Sequence, residues 1–180
     1  MLIDAQGTEI PGCLLLKTQI HRDPRGLFQK TYHRKSFEEI GISDPFIEGY
    51  YSISKKNVVR GMHFQTPPAQ HSKVVCCIHG RAFDVVLDIR KNSPTFRRYV
   101  TFNLDSDNGS MVYVPVGCAH GFMAMEDDTI LSYQVSSLYS PSHDMGILWD
   151  SFNCDWPTRN AVVSDRDSRF PSLDSTSDYF

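Results

Sequence analysis

Two short stretches of this sequence gather side chains able to move protons or hold charge. The first is Arg60-Gly-Met-His-Phe-Gln65, followed closely by His71-Ser-Lys73; the second is Gly109-Ser-Met-Val-Tyr-Val-Pro-Val-Gly-Cys-Ala-His120-Gly121. Imidazole titrates near neutral pH, so His63 and His120 are candidates for a general base or a metal ligand. Arg60 and Lys73 bring positive charge close by, and a guanidinium suits phosphate oxygens. Set against that, a Lys ahead of an apolar run such as Val74-Val-Cys-Cys-Ile78 ordinarily snorkels to solvent, and Arg60 reads equally as a solvated strand end. Among the remaining histidines, His21, His33, His71, His79 and His143 are read as structural or surface residues. Tyr133 and Tyr139, taken singly, are core or rim aromatics. No Cys-x-x-Cys pair is present, which removes the common zinc-ribbon reading, and no Gly-x-Gly-x-x-Gly fingerprint points to a dinucleotide.

The elements that must position these residues are short and strand-like. Strands are predicted at 14–20, 26–32, 58–65, 73–78, 82–89, 98–104, 110–114, 121–125 and 129–135. One helix is predicted over Arg34-Lys-Ser-Phe-Glu-Glu-Ile-Gly41, with Phe37 and Ile40 on one face and Gly41 as its stop. His79-Gly80-Arg81 reads as a hairpin turn between two of the strands. In the second of these, Phe83, Val85, Leu87 and Ile89 alternate with Asp84, Val86 and Asp88, the period of a half-buried strand. Turn chemistry at Asp23-Pro-Arg-Gly26, Asn92-Ser-Pro94, Asp105-Ser-Asp-Asn-Gly109 and Pro115-Val-Gly117 separates the strands. Many short strands with almost no helix predict an all-β sandwich or barrel.

The 180 residues suit a single domain, residues 1–180, with a polar end at 172–180 that is expected to fray. With 41% hydrophobic residues, 11 Phe and 8 Tyr, core material is ample. A formal charge of −3 gives no bulk electrostatic footprint for nucleic acid or an anionic membrane, so any phosphate must be held by a few placed basic groups. The first residues lack a basic segment and a long apolar run, and no apolar stretch spans a bilayer. Five Cys, two of them adjacent on what reads as a strand, fit reduced thiols and a cytoplasmic protein.

The second stretch, with its G-x5-P-x-G-x2-H spacing, resembles the second motif of the cupin superfamily. The first resembles that superfamily's other motif with two metal-ligand places changed, to Gln65 and Lys73. An amide is a weak ligand and an ammonium repels a cation, so no metal is expected. A narrower resemblance covers residues 10–171. Asp23-Pro-Arg-Gly26, Ser52-Ile-Ser54, Arg60-Gly-Met-His-Phe-Gln65, Lys73, Asp84-Val-Val-Leu-Asp-Ile-Arg90, Ser93-Pro-Thr-Phe96 and Pro115-Val-Gly-Cys-Ala-His-Gly-Phe122 occur in order. Tyr133, Tyr139-Ser-Pro141, Gly146-Ile-Leu-Trp149 and Ser164-Asp-Arg-Asp167 follow. Together they resemble the nucleotide-diphospho-4-keto-6-deoxysugar epimerases.

That resemblance implies an antiparallel jelly roll of the cupin type with a few short peripheral helices. It implies a homodimer with N-terminal strand exchange, no cofactor, and inversion at C3, C5 or both of the sugar, in deoxysugar and polysaccharide (O-antigen) biosynthesis. The implied roles are His63 as base oriented by Asp167, Lys73 as enolate stabiliser and Tyr133 as proton donor. Arg60 contacts the diphosphate, as does Arg25 from a second copy; His120 and Tyr139 line the site. Further substrate-binding places fall on Lys30, Glu48, Tyr50, Asp144 and Arg166, where the family usually carries Glu, Gln, Asn, Glu and Lys. An ionised Glu48 only accepts hydrogen bonds and Tyr50 adds a bulky ring, so a nucleotide preference different from, or looser than, dTDP is expected. Two rivals stand beside this reading: a sugar-nucleotide 3,4-ketoisomerase, and a non-catalytic sugar-nucleotide-binding cupin. The first needs no donor on the opposite face of the sugar; the second gives no reason for Lys73, Asp167 and Tyr133 to occur together.

Overall fold

The computed structural model describes residues 3–175 and 180. Thirteen strands run in order through these residues. They are β1 (Ile3–Gly7), β2 (Leu14–Thr18), β3 (Ile20–Asp23), β4 (Gly26–Gln29), β5 (Glu48–Ser54), β6 (Val59–Gln65), β7 (Lys73–His79), β8 (Arg81–Asp88), β9 (Tyr99–Asp105), β10 (Ser110–Val114), β11 (Cys118–Ala124), β12 (Thr129–Val135) and β13 (Asp144–Gly146). One helix, α1 (Arg34–Glu39), lies between β4 and β5, capped by the His33 ring accepting from the Ser36 N–H. Two sheets form the body, ordered β1-β2-β10-β7-β12-β5 and β13-β6-β11-β8-β9, with β3 and β4 as a separate hairpin. Every pairing between these strands is antiparallel, as a jelly roll requires.

Three apolar layers explain the pattern. Val75, Cys77, Leu131 and Tyr133 from the first sheet meet Val86, Phe122 and Ala124 from the second. Behind the second sheet, Val85, Leu87, Met62 and Phe64 pack against Ile147, Trp149, Trp156 and Leu173 of the C-terminal segment. Outside the first sheet, Val74, Cys76 and Met111 are covered by Phe37 of α1 and by Ile42. The adjacent thiols of Cys76 and Cys77 therefore enter different layers, and all five Cys are free and buried.

Several expectations are corrected here. His79-Gly80-Arg81 is not a hairpin turn, because β7 pairs with β10 and β12 while β8 pairs with β9 and β11; the chain crosses between sheets at Gly80. Nor is β8 half-buried: Phe83, Val85 and Leu87 pack under the C-terminal segment, while Asp84, Val86 and Asp88 are fully buried on the opposite face, toward the first sheet. Strands β1, β3, β5 and β13 lie outside the predicted set, and their burial is too slight to print an apolar period. The end of the chain does not fray from 172. Leu173 is buried, and the Phe180 carbonyl accepts from the Lys91 N–H; residues 176–179 lie outside the described residues.

Candidate active site

Between the two sheets opens a cavity of about 400 Å³, a size that suits a small ligand. Its walls come from different sheets. The second contributes Arg60, His63, Gln65 and His120 from the neighbouring strands β6 and β11, with Asp144 from β13; the first contributes Glu48, Tyr50, Lys73 and Tyr133. Close backbone approach fixes the alignment. His63 lies opposite His120 in the ladder, where a bulge shifts the register. Gly61 packs so tightly on Gly121 that a Cβ there would overlap its neighbour's Cα.

His63 donates from Nε2 to Asp167 Oδ1 at 3.0 Å, and Asp167 Oδ2 accepts the Gly61 N–H at 3.1 Å. Burial alone would raise the Asp167 carboxyl; hydrogen bonds from His63 and Gly61, with Arg166 nearby, outweigh it and hold the group below its usual range. An ionised Asp167 fixes the His63 proton on Nε2 and leaves Nδ1 as a free lone pair. Burial lowers His63, Asp167 pulls it back, and Lys73 and Arg166 lower it further, so the net shift is downward and the ring is neutral near pH 7. The Phe170 ring stands edge-on to His63 at 5.7 Å. It occupies the space a side chain at residue 146 would need, so Gly146 is required there.

Lys73 is buried and donates to the His63 carbonyl at 3.2 Å. Burial pushes its ammonium down to about 8, against the pull of Asp144 and Asp84. His120 bonds Asp84 at 2.7 Å, both groups buried. Tyr133 stacks on Tyr50 at 4.8 Å between ring centroids, and burial drives its phenol above the usual range. At the rim, Arg60 holds Ser54 Oγ and the Ile53 carbonyl, Asp144 accepts from Arg166 at 2.6 Å, and Glu48 accepts the Tyr139 N–H at 2.9 Å.

Thus His63, Lys73, Tyr133, Arg60, His120, Glu48, Tyr50, Tyr139, Asp144 and Arg166 share one cavity, and Asp167 supports it from behind. Arg25 and Lys30 do not reach it in this chain. Arg25 sits at the exposed tip of the β3–β4 hairpin, paired with Asp23, and Lys30 is exposed just beyond the hairpin. Sequence reasoning missed three contributors. Asp84 was hidden because it alternates like Asp88, which instead ties the 88–95 turn together through Arg90, Ser93 and Thr95. Gln65 reads in the sequence only as a changed metal-ligand place and His71 as a structural or surface histidine, yet both line the cavity and bond each other at 2.9 Å. A metal does not fit this donor set. His63 and His120 are each engaged by a carboxylate, Lys73 brings an ammonium, and among the described residues no three His, Cys, Asp or Glu side chains gather.

A family model for dTDP-4-dehydrorhamnose 3,5-epimerase matches residues 7–175. The chain is 40% identical over 163 residues to the dTDP-4-dehydrorhamnose 3,5-epimerase of Shigella flexneri, covering 89% of this chain and 90% of the relative. It resembles the crystal structure of the Bacillus anthracis dTDP-4-dehydrorhamnose 3,5-epimerase with TDP and PPi bound, at a TM-score of 0.92 and 34% identity, over 96% of this chain and 100% of that one. The dTDP-6-deoxy-D-glucose-3,5-epimerase of Legionella pneumophila, in complex with dTDP-4-keto-L-rhamnose, gives a TM-score of 0.93 at 30% identity, over 98% of this chain and 95% of that one.

Proposed function

The chain belongs to the dTDP-4-dehydrorhamnose 3,5-epimerase family and is an isomerase, and on that premise we propose that its cavity inverts C3, C5 or both of a nucleotide-diphospho-4-keto-6-deoxyhexose without a metal or cofactor. The observation that carries this is the opposition of His63, backed by Asp167, to a Tyr133 from the facing sheet, with the Lys73 side chain reaching across from Tyr133's sheet to the His63 carbonyl. The C4 ketone acidifies the neighbouring C–H bonds. His63 Nδ1 takes one such proton, and the C–H electron pair moves into the carbonyl to give an enolate oxygen. The buried Lys73 ammonium stabilises that charge. Tyr133 then protonates the carbon from the opposite face, the ketone re-forms, and both groups return to their starting states through solvent. No net redox change occurs.

Arg60 and Arg166 suit the diphosphate, whose bound counterparts in the two solved relatives support the substrate class. A homodimer brings Arg25 and Lys30 of a second copy to the cavity. Support for it is the β3–β4 hairpin, which carries Leu27 and Phe28, the latter 62% exposed, away from the body; β1 itself pairs with β2 of its own chain. Free buried thiols and a nucleotide-sugar substrate favour a cytoplasmic enzyme supplying deoxysugar for polysaccharide such as O-antigen. The test is incubation with dTDP-4-keto-6-deoxyglucose in deuterated water. We expect deuterium at C3, C5 or both, undiminished by EDTA. His63→Asn should lose exchange by about 10²–10⁴-fold with dTDP binding intact, and Tyr133→Phe should lose inversion more than exchange. No exchange by the parent protein, or exchange abolished by chelation, overturns the reading.

A further inference from the structure

His71 lies on the cavity wall, and its buried Nε2 has no hydrogen-bond partner among the described residues. Its protonation state is decided by a neighbour. Gln65 Oε1 accepts the Ser140 N–H at 2.6 Å, so the amide nitrogen must face the Ala69 carbonyl at 2.8 Å, the Leu138 carbonyl at 3.2 Å and His71 Nδ1 at 2.9 Å. Turning the amide over would set an oxygen against two carbonyls and a nitrogen against an N–H donor. His71 Nδ1 therefore presents a lone pair to the amide, and the ring proton resides on Nε2. Burial first, then the charges of Lys73 and His120, oppose a second proton and bring the ring down to about 3. His71 is a neutral donor at every working pH, and its Nδ1 is not free to act as a base.

Position supplies the target. His71 lies two residues before the start of β7 at Lys73, and Ser72 between them turns the other way, onto Ser136. Residues two apart on an extended chain share a face and lie about 7 Å apart along it. His71 and Lys73 thus both enter the cavity from one segment, one donor neutral and one charged. The acceptor both suit is an oxygen on which negative charge gathers.

We propose that the Nε2–H of His71 donates to the C4 oxygen of the substrate, forming with Lys73 a two-donor site for the enolate. The proposal rests on the epimerase reading above. It makes His71 a catalytic residue whose role is electrostatic.

Two substitutions separate this role from support of the fold. Asn at 71 can keep an acceptor near the Nδ1 position, facing Gln65, but lacks a donor where Nε2 stands; Gln can place an amide N–H there. Gln65 keeps two carbonyl acceptors for its two protons in either case. With dTDP-4-keto-6-deoxyglucose, we expect His71→Asn to lose about 10²–10³-fold in kcat and in solvent deuterium exchange, with KM and dTDP affinity little changed. His71→Gln should stay within about 10-fold of the parent. Parent-like exchange by His71→Asn, equal losses in both variants, or a loss confined to KM would each overturn the proposal while leaving the epimerase reading intact. Absence of exchange in the parent protein would overturn both.

Discussion

At His63 and Lys73, burial and charge act in a way that defines a pH window. Burial and neighbouring cations lower His63 below its ordinary 6.5, and the base works only when neutral. Activity therefore falls as pH drops through that lowered value. Lys73 must be charged to stabilise an enolate, and burial has brought it to about 8, so activity falls again as pH rises through that region. We expect a bell-shaped kcat/KM profile with its acid limb below 6.5 and its alkaline limb near 8. Lys73→Met should lower kcat by about 10²–10³-fold and remove the alkaline limb; a limb that persists would assign it to another group. At the rim, Glu48 is held by the Tyr139 N–H and Tyr50 by its stack on Tyr133. Calorimetric titration with dTDP, CDP, GDP and UDP should reveal a preference looser than dTDP alone, tightened toward dTDP when Glu48→Gln and Tyr50→Asn are combined. Strict dTDP selectivity unaffected by that pair would remove both residues from recognition.

Elements act through contacts too close to tolerate a methyl group. Strand β13 lies against β6, with Gly146 opposite His63, and Phe170 fills the space above Gly146 while touching the His63 ring edge-on. Gly146→Ala must displace that ring, and crowding of this kind costs about 1–3 kcal/mol. We expect a stability loss of that size by chemical denaturation, with a lower kcat because His63 loses its packing partner. Phe170→Leu in the same background should recover part of the stability. A strictly additive double mutant would show that Phe170 is not the obstacle. The same elements show why local sequence was only partly informative. Residues 129–135 were readable as a strand because β12 alternates buried and partly buried positions along its whole length. Strand β5 carried no such signal, because Tyr51 and Ile53 face outward on a sheet edge.

For the whole molecule, the position of Arg25 poses the question of assembly. If Arg25 serves the cavity of a second copy, a variant lacking it and a variant lacking His63 should rescue one another. In a mixed dimer, the Arg25→Ala chain supplies an intact His63 and receives Arg25 from the His63→Asn chain. Co-refolded Arg25→Ala and His63→Asn chains should therefore recover activity that neither has alone, and sedimentation should give a dimer. Recovery no greater than the sum of the separate variants would confine Arg25 to its own hairpin, where it pairs with Asp23.

By itself, the sequence determined the chemistry on offer: the β class, the two motif stretches, and the order of His63, Lys73, His120, Tyr133 and Asp167 along the chain. Those are properties of residue type and spacing, and strand period and turn residues follow from local backbone preferences. Tertiary structure alone decided which faces were buried and which protons were fixed. Asp84 and Asp88 look alike in an alternating run, yet one meets His120 and the other closes a turn, because only sheet-to-sheet packing sets what lies opposite each. His71 reads as an ordinary surface histidine until Gln65, held by a backbone N–H at residue 140, fixes its proton on a buried Nε2 that has no partner among the described residues. A hydrogen bond across 75 residues, from Ser140 to Gln65, has no local signature. It exists only once the chain has closed on itself.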